Sequence, residues 1–186
     1  ITITRRDLTP IQSLGDLGVR LISDNVQAVR DAKIIILAVR PLQLSSLIEG
    51  IKEVLDSSHH LVLSVASGVS IEETSRLIGT KIPVVRVMPS TAIAVRESMT
   101  CLAAKAEHKE ALEISKNIFS ALGKTQVIEE EFFSSATSLC ACGTAFFLRA
   151  IRAASQGGIE IGFHSEEAIM MAAQTARGAA SLLQSH

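Results

Sequence analysis

Through its first two thirds the chain alternates apolar runs of strand length with segments of helical periodicity, and then the strand signal stops. That alternation confines the fold more than any other feature. Strands separated by helices return in the same direction and build a parallel sheet layered with helices. Strands are expected at residues 1–4, 19–22, 33–39, 61–66, 84–88 and 99–104, and helices at 10–17, 25–31, 43–55, 70–78 and 109–122. Within 43–55, Leu44, Leu47, Ile51 and Leu55 share one helical face. The run 33–39 is apolar on both faces after its lysine, which predicts a strand covered on two sides. End signals agree: Thr9 before Pro10 reads as a cap and first helical residue, Gly18 as a stop, and Ser70 with Glu73 as a capping box.

The pattern changes near Glu129. From Phe132 onward no strand is predicted, and Ala136, Cys140, Gly143, Phe147, Ile151 and Ala154 form one stripe of a long helix. Gly157-Gly158 is expected to break it, and Ser165 to cap a second helix carrying Ala168, Ala172, Ala176, Ala179 and Leu183. The chain is therefore expected to divide into 1–129 and 130–186. Two helices with broad apolar faces do not bury themselves alone. They are expected to pack on the sheet domain or on the same element of a second subunit.

Charge and composition narrow the function. With 18 basic and 19 acidic side chains the net charge is −1, which provides no field for nucleic acid, and Trp and Tyr are absent. The longest uninterrupted apolar stretch, residues 34–39, is far short of the ~20 residues that span a bilayer. Neither nucleic acid nor membrane is expected as a partner. Cys101, Cys140 and Cys142 make an odd count with no second pair to complete a metal site, so buried free thiols, no metal and a reducing, cytoplasmic location are expected. The five histidines, His59, His60, His108, His164 and His186, read as solvated surface residues.

In an open parallel sheet, ligands bind beyond the C-terminal ends of the strands. After the first strand comes Arg5-Arg6, two guanidinium forks suited to a 2′-phosphate, or else a solvated surface pair. After the third comes Arg40-Pro41, with Pro41 ending the strand. After the fourth comes Ser67-Gly68, a small turn that admits close backbone approach, and after the fifth Pro89-Ser90-Thr91, two hydroxyls at the same crevice. No acid–base pair stands out. A reaction needing positioning and a hydride donor fits better than hydrolysis by Ser90.

These residues resemble the pyrroline-5-carboxylate reductase family. Ala38-Val39-Arg40-Pro41 is similar to the family's Ala-Val-Lys-Pro, and Val65-Ala66-Ser67-Gly68-Val69 to its Ala-Ala-Gly turn. The run from Arg86 to Thr91, followed by Met99-Thr100, resembles Met-Pro-Asn-Thr followed by Gly-Met-Thr. The segments from Thr137 to Phe146 and from Ala172 to Leu183 match the family's helical dimerisation region. The resemblance implies a Rossmann-type, doubly wound, mostly parallel α/β domain followed by an all-helical dimerisation domain. It implies hydride transfer from NADPH, with NADH as the second candidate, to the C=N carbon of 1-pyrroline-5-carboxylate, giving L-proline. By position, Arg5 and Arg6 would face the adenosine phosphate and Asn25 the adenosine half. Ala38, Val39, Arg40 and Pro41, with Ala66, Ser67 and Gly68, would line the path to the nicotinamide. Met88 and Pro89 would approach the ring, Ser90 and Thr91 would orient the imine, and Glu130 matches an acidic residue near the cofactor cleft. The helical part would form a homodimer or higher homo-oligomer whose partner completes the substrate site.

The departures are at one helix start, at Ser90 and at both ends. Cys140-Ala141-Cys142-Gly143-Thr144-Ala145-Phe146 stands where the family has Ser-Gly-Ser-Gly-Pro-Ala-Tyr, and Ser90 replaces asparagine. The family's leading strand with its Gly-x-Gly-x-x-Gly-type loop would precede residue 1, and its Ser-Pro-Gly-Gly-Thr-Thr segment would follow residue 186. The expectation is a piece of a longer chain, or another element in the gap, with unpaired edges where the leading strand would lie and with poor dinucleotide binding and low activity for these 186 residues alone. Two alternatives stand beside the reductase: another imine or β-hydroxyacid reductase on the same scaffold, and a non-catalytic dimerisation module.

Overall fold

Alternation of buried and exposed positions along short strands, and of strands with helices, produces an α/β unit with a mostly parallel sheet, followed by a helical unit. The computed structural model describes residues 1–79 and 81–185, so the expectation for His186 lies outside the described residues. The chain divides into two compact units, Ile1–Ser135 and Ala136–His186. Residues 130–135 fall with the sheet because Phe133, at 2% exposed, belongs to its core.

The first unit carries two sheets. Strand β1 (Thr2–Thr4) pairs in parallel with β2 (Arg20–Ile22), joined by a 3-10 turn over Thr9–Leu17. Thr9 does not cap that turn. The Asp7 carboxylate accepts the Thr9 N–H at 3.0 Å, and Gly18 closes the turn at φ 78°. Hydrogen bonding from the Thr9 side chain, and then from its N–H, holds the Asp7 carboxyl below its usual range. The second sheet has the order β3 (Ile34–Leu37), β4 (Leu61–Ser64), β5 (Val84–Met88), β6 (Ser98–Ala104), β7 (Gly123–Val127). All its neighbours are parallel except β5 and β6. Residues 89–97 are too few for a crossover helix, which needs a dozen or more, so β6 returns antiparallel. Strands β1 and β3 each form an edge of their sheets.

Two apolar layers sandwich the larger sheet. Helices α1 (Asn25–Arg30), α2 (Pro41–Ile51) and α3 (Ile71–Ile78) pack Val29, Leu44, Ile48, Ile51 and Ile78 on one face, against Ile35, Leu37, Val62 and Val84. The other face carries Leu63, Val85 and Leu102, all 0% exposed, beneath Ala111 and Phe119 of α4 (Lys109–Ser120). One helix is too narrow to reach β3. Ile34 and Ile36 are consequently 37% and 49% exposed, and the strand expected to be covered on both sides is covered on one. Pro41 opens α2 as its first residue rather than merely ending a strand.

His60 corrects the expectation of five solvated histidines, being 6% exposed. Its Nδ1 accepts the Asp56 N–H at 2.8 Å, which places the proton on Nε2, 3.2 Å from the Val29 carbonyl. The ring thus staples α1 to the turn before β4. Replacing His60 by alanine is expected to orphan both backbone groups and open a cavity, lowering stability by about 3 kcal/mol in urea titrations. A loss under about 1 kcal/mol would discard the staple. In the same turn the Ser58 hydroxyl and N–H donate to the Asp56 carboxylate at 2.7 and 2.8 Å and hold its pKa down, with the two histidines adding to the effect. A lowered folded pKa stabilises above the ordinary carboxylate value and is lost as pH falls through the folded one. Protection of the turn's amides against exchange, relative to the intrinsic rate, should therefore fall below about pH 4 in the wild type and lose that dependence in Asp56→Asn.

The helical unit begins with a wide turn. The end of α5 (Phe133–Ala136) runs into a π-helical segment, Thr137–Ala141, where the Cys142 N–H reaches the Thr137 carbonyl at 2.9 Å. Helix α6 (Gly143–Glu160) then passes straight through Gly157-Gly158, where a break was expected. A Cβ on Gly158 would sit 3.1 Å from the Ala168 Cβ, so this glycine permits close approach of α7 (Ser165–Gln184). The cap of α7 is His164 rather than Ser165, its N–H donating to the Glu167 carboxylate at 3.0 Å.

Candidate active site

Parallel strands end together, so the turns that follow them share one edge of a sheet. At the smaller sheet, β1 delivers Arg5 and Arg6, both exposed, with the Arg5 N–H continuing the ladder to the Ile22 carbonyl at 3.3 Å. Beside them β2 leads into α1, whose first residue is Asn25, half-buried behind the Asp24 cap that accepts the Gln27 N–H. The exposed guanidinium forks leave donors for an anion.

At the larger sheet the turns are built of small residues. Ala38, Ser67 and Gly68 are exposed, with Val39 half-buried, Arg40 and Pro41 exposed at the start of α2, and Ala66 buried. Gly68 takes φ 77° with open space where a Cβ would be, which leaves the backbone of the turn accessible. Exposed small residues on these turns, with cationic forks at the neighbouring sheet, make a surface on which a dinucleotide could lie. The residues present fit that group.

The end of β5 divides the two hydroxyls. Ser90 is 5% exposed, its N–H donating to the Ser98 Oγ at 3.0 Å, and its own Oγ lies 3.5 Å from that oxygen. Ser98 Oγ in turn lies 2.9 Å from Thr100 Oγ1, with both residues buried. Ser90 is therefore held from beneath by β6, whereas Thr91 is exposed and opens the 3-10 turn Thr91–Val95. Met88 and Pro89 are half-buried beside them.

Glu130 connects a helix to a strand. Its Oε1 accepts the Ile71 N–H of α3 at 2.7 Å and the Arg86 Nη1 at 3.1 Å, and the Arg86 guanidinium lies 4.4 Å from the centre of the Phe133 ring. Arg86, Ser98 and Thr100 escaped the reading of strand ends because they lie within strands. The available signal was a charged residue inside the apolar run Val84–Met88, where burial demands a partner. Ser64, on β4 opposite Arg86, is 1% exposed, and its hydroxyl has no partner among the described residues. Among those residues, no three His, Cys, Asp or Glu side chains converge as a metal set, and no helix is long and apolar enough to cross a membrane.

Residues 130–186 match the family described as pyrroline-5-carboxylate reductase dimerisation, and residues 1–68 match NADP oxidoreductase coenzyme F420-dependent. Over 98% of its length the chain is 47% identical to pyrroline-5-carboxylate reductase 1 of Dictyostelium discoideum and, again over 98%, 43% identical to reductase 2 of that organism. It spans 35% of the first and 66% of the second. A pyrroline-5-carboxylate reductase structure from Coxiella burnetii superposes with a TM-score of 0.92 at 28% identity, covering all of this chain and 70% of that one. The Plasmodium falciparum enzyme, solved with NADP bound, gives 0.82 at 25% identity over 90% of this chain and 64% of that one.

Proposed function

Because the chain belongs to the pyrroline-5-carboxylate reductase family, we propose that it forms the dinucleotide-binding and helical parts of an enzyme that reduces 1-pyrroline-5-carboxylate to L-proline. The observation that carries this reading is the line of accessible turns at the ends of β3, β4 and β5, with exposed arginines at the end of β1. NADPH, when bound, supplies the hydride. The imine carbon gains that hydride and the ring nitrogen a proton, so the C=N bond becomes the C–N bond of proline.

Each residue has a modest task. Arg5 and Arg6 hold the 2′-phosphate, which makes NADPH the preferred donor, and Asn25 lies against the adenosine half. Ala38, Val39, Arg40 and Pro41, with Ala66, Ser67 and Gly68, present backbone along the path to the reacting ring. Met88 and Pro89 form its floor. Thr91 presents its hydroxyl to the imine, and Ser90, clamped by Ser98, fixes where Thr91 starts. Orientation of two reactants at contact distance supplies most of the acceleration in such a transfer.

The helical unit serves assembly. Phe146, Phe147, Met170, Leu182 and Leu183 are exposed along α6 and α7, a larger apolar surface than a lone hairpin keeps in water. Pairing with a second copy covers it. The deciding experiment is NADPH oxidation by the whole protein in the presence of 1-pyrroline-5-carboxylate, with proline identified as product. Turnover with other cyclic imines but not this one would move the substrate elsewhere on the same scaffold. Tight self-association without NADPH binding would instead make the chain an assembly module.

A further inference from the structure

Glu130 receives two donors on one oxygen, and the donors come from different walls of the crevice. The Ile71 N–H is the first of α3 and therefore fixes the turn containing Gly68, while Arg86 lies on β5 just before Met88. The Arg86 guanidinium is pressed against the ring of Phe133, which is 2% exposed, so it has little freedom to follow a moving carboxylate. With side-chain exposures of 16% and 32%, the ion pair is better shielded than the other three among the described residues, in each of which both partners are more exposed. A shielded, shared, charge-assisted pair is stiff.

We propose that Arg86 and Glu130 form a clasp that sets the distance between the Gly68 turn and the end of β5, and thereby the depth at which the reacting ring of the hydride donor lies. This deepens the reductase reading and rests on it. Both are positioning residues: they act through the two walls. The adenosine-binding arginines belong to the other sheet, so the clasp governs alignment more than affinity. Misplacement by about 1 Å lowers a well-aligned transfer by roughly 100-fold.

The test uses the whole protein with NADPH and C4-deuterated NADPH. Arg86→Ala and Glu130→Ala are expected to lower kcat about 100-fold while the KM for NADPH changes less than about threefold, and to raise the isotope effect on kcat as hydride transfer becomes limiting. Arg86→Lys, which keeps the charge but not the planar contact with Phe133, should recover part of the loss, and Glu130→Gln, which keeps an acceptor for Ile71, should do the same. Melting curves of each variant identify any that simply fail to fold. Unchanged kcat and isotope effect in folded alanine variants would overturn the clasp, as would a loss confined to KM. Absence of imine turnover in the wild type would overturn the reductase reading, and the clasp with it.

Discussion

Gly123→Ala is expected to lower the stability of the sheet unit by about 4 kcal/mol or more, a loss large enough to unfold many domains of this size. Gly123 opens β7 at φ 139°, where L side chains are strained, and an added Cβ would lie 2.2 Å from the Ser98 carbonyl oxygen and 2.4 Å from its nitrogen. These are backbone atoms of β6, which pairs on both sides, so neither strand can retreat without losing ladder bonds. Gly18 and Gly79 provide the comparison. Both have positive φ but open space around the missing Cβ, so alanine there should cost only about 1–2 kcal/mol of backbone strain. Urea titrations of the three variants read the difference directly. A Gly123→Ala loss no larger than that of Gly18→Ala would show that strain, rather than the collision with Ser98, governs the site. The effect should also reach function, because the Ser98 hydroxyl receives the Ser90 N–H.

Replacing Arg5 and Arg6 together by alanine is expected to raise the KM for NADPH about 100-fold in the whole enzyme, with the KM for NADH unchanged within about twofold. A charge-assisted contact to phosphate contributes about 1.5–3 kcal/mol, and two exposed forks at the lower end of that range give this ratio. On the proposed reading Asp7 does not favour NADH, since one oxygen of its carboxylate is engaged by the Thr9 N–H. The proposed NADPH preference should also weaken with salt, because exposed charges are screened. Equal losses for both dinucleotides would assign the arginines to general folding or to the pyrophosphate instead.

Much of the fold was legible because its determinants are local. Apolar periodicity located six of the seven strands among the described residues, and the stop at Gly18 and the Ser70 cap fell where short-range sterics and hydrogen bonding require them. The missed strand, β7, reads Gly-Lys-Thr-Gln-Val and lies at the sheet edge with Lys124, Gln126 and Val127 exposed. An edge strand needs little apolar surface, so it leaves little signal. Gly157-Gly158 misled for a related reason: helix propensity is a weak preference, and the close approach at Ala168 outweighs it.

The candidate site divides in the same way. Turns after strands are consecutive residues, so Arg5, Ala38, Gly68 and Thr91 are identifiable from pattern alone, as is the family they resemble. Partnerships between residues far apart in the chain carry no local trace. The pairing of Arg86 with Glu130, the burial of Ser90 over Ser98 and the His60 staple to Val29 depend on which strands become neighbours. By itself, then, the sequence determined the order of strands and helices, the change to helices after residue 132 and the chemical character of each strand end. Only the tertiary structure decided which polar groups meet, because a buried donor takes whatever acceptor the packed sheet brings within about 3 Å.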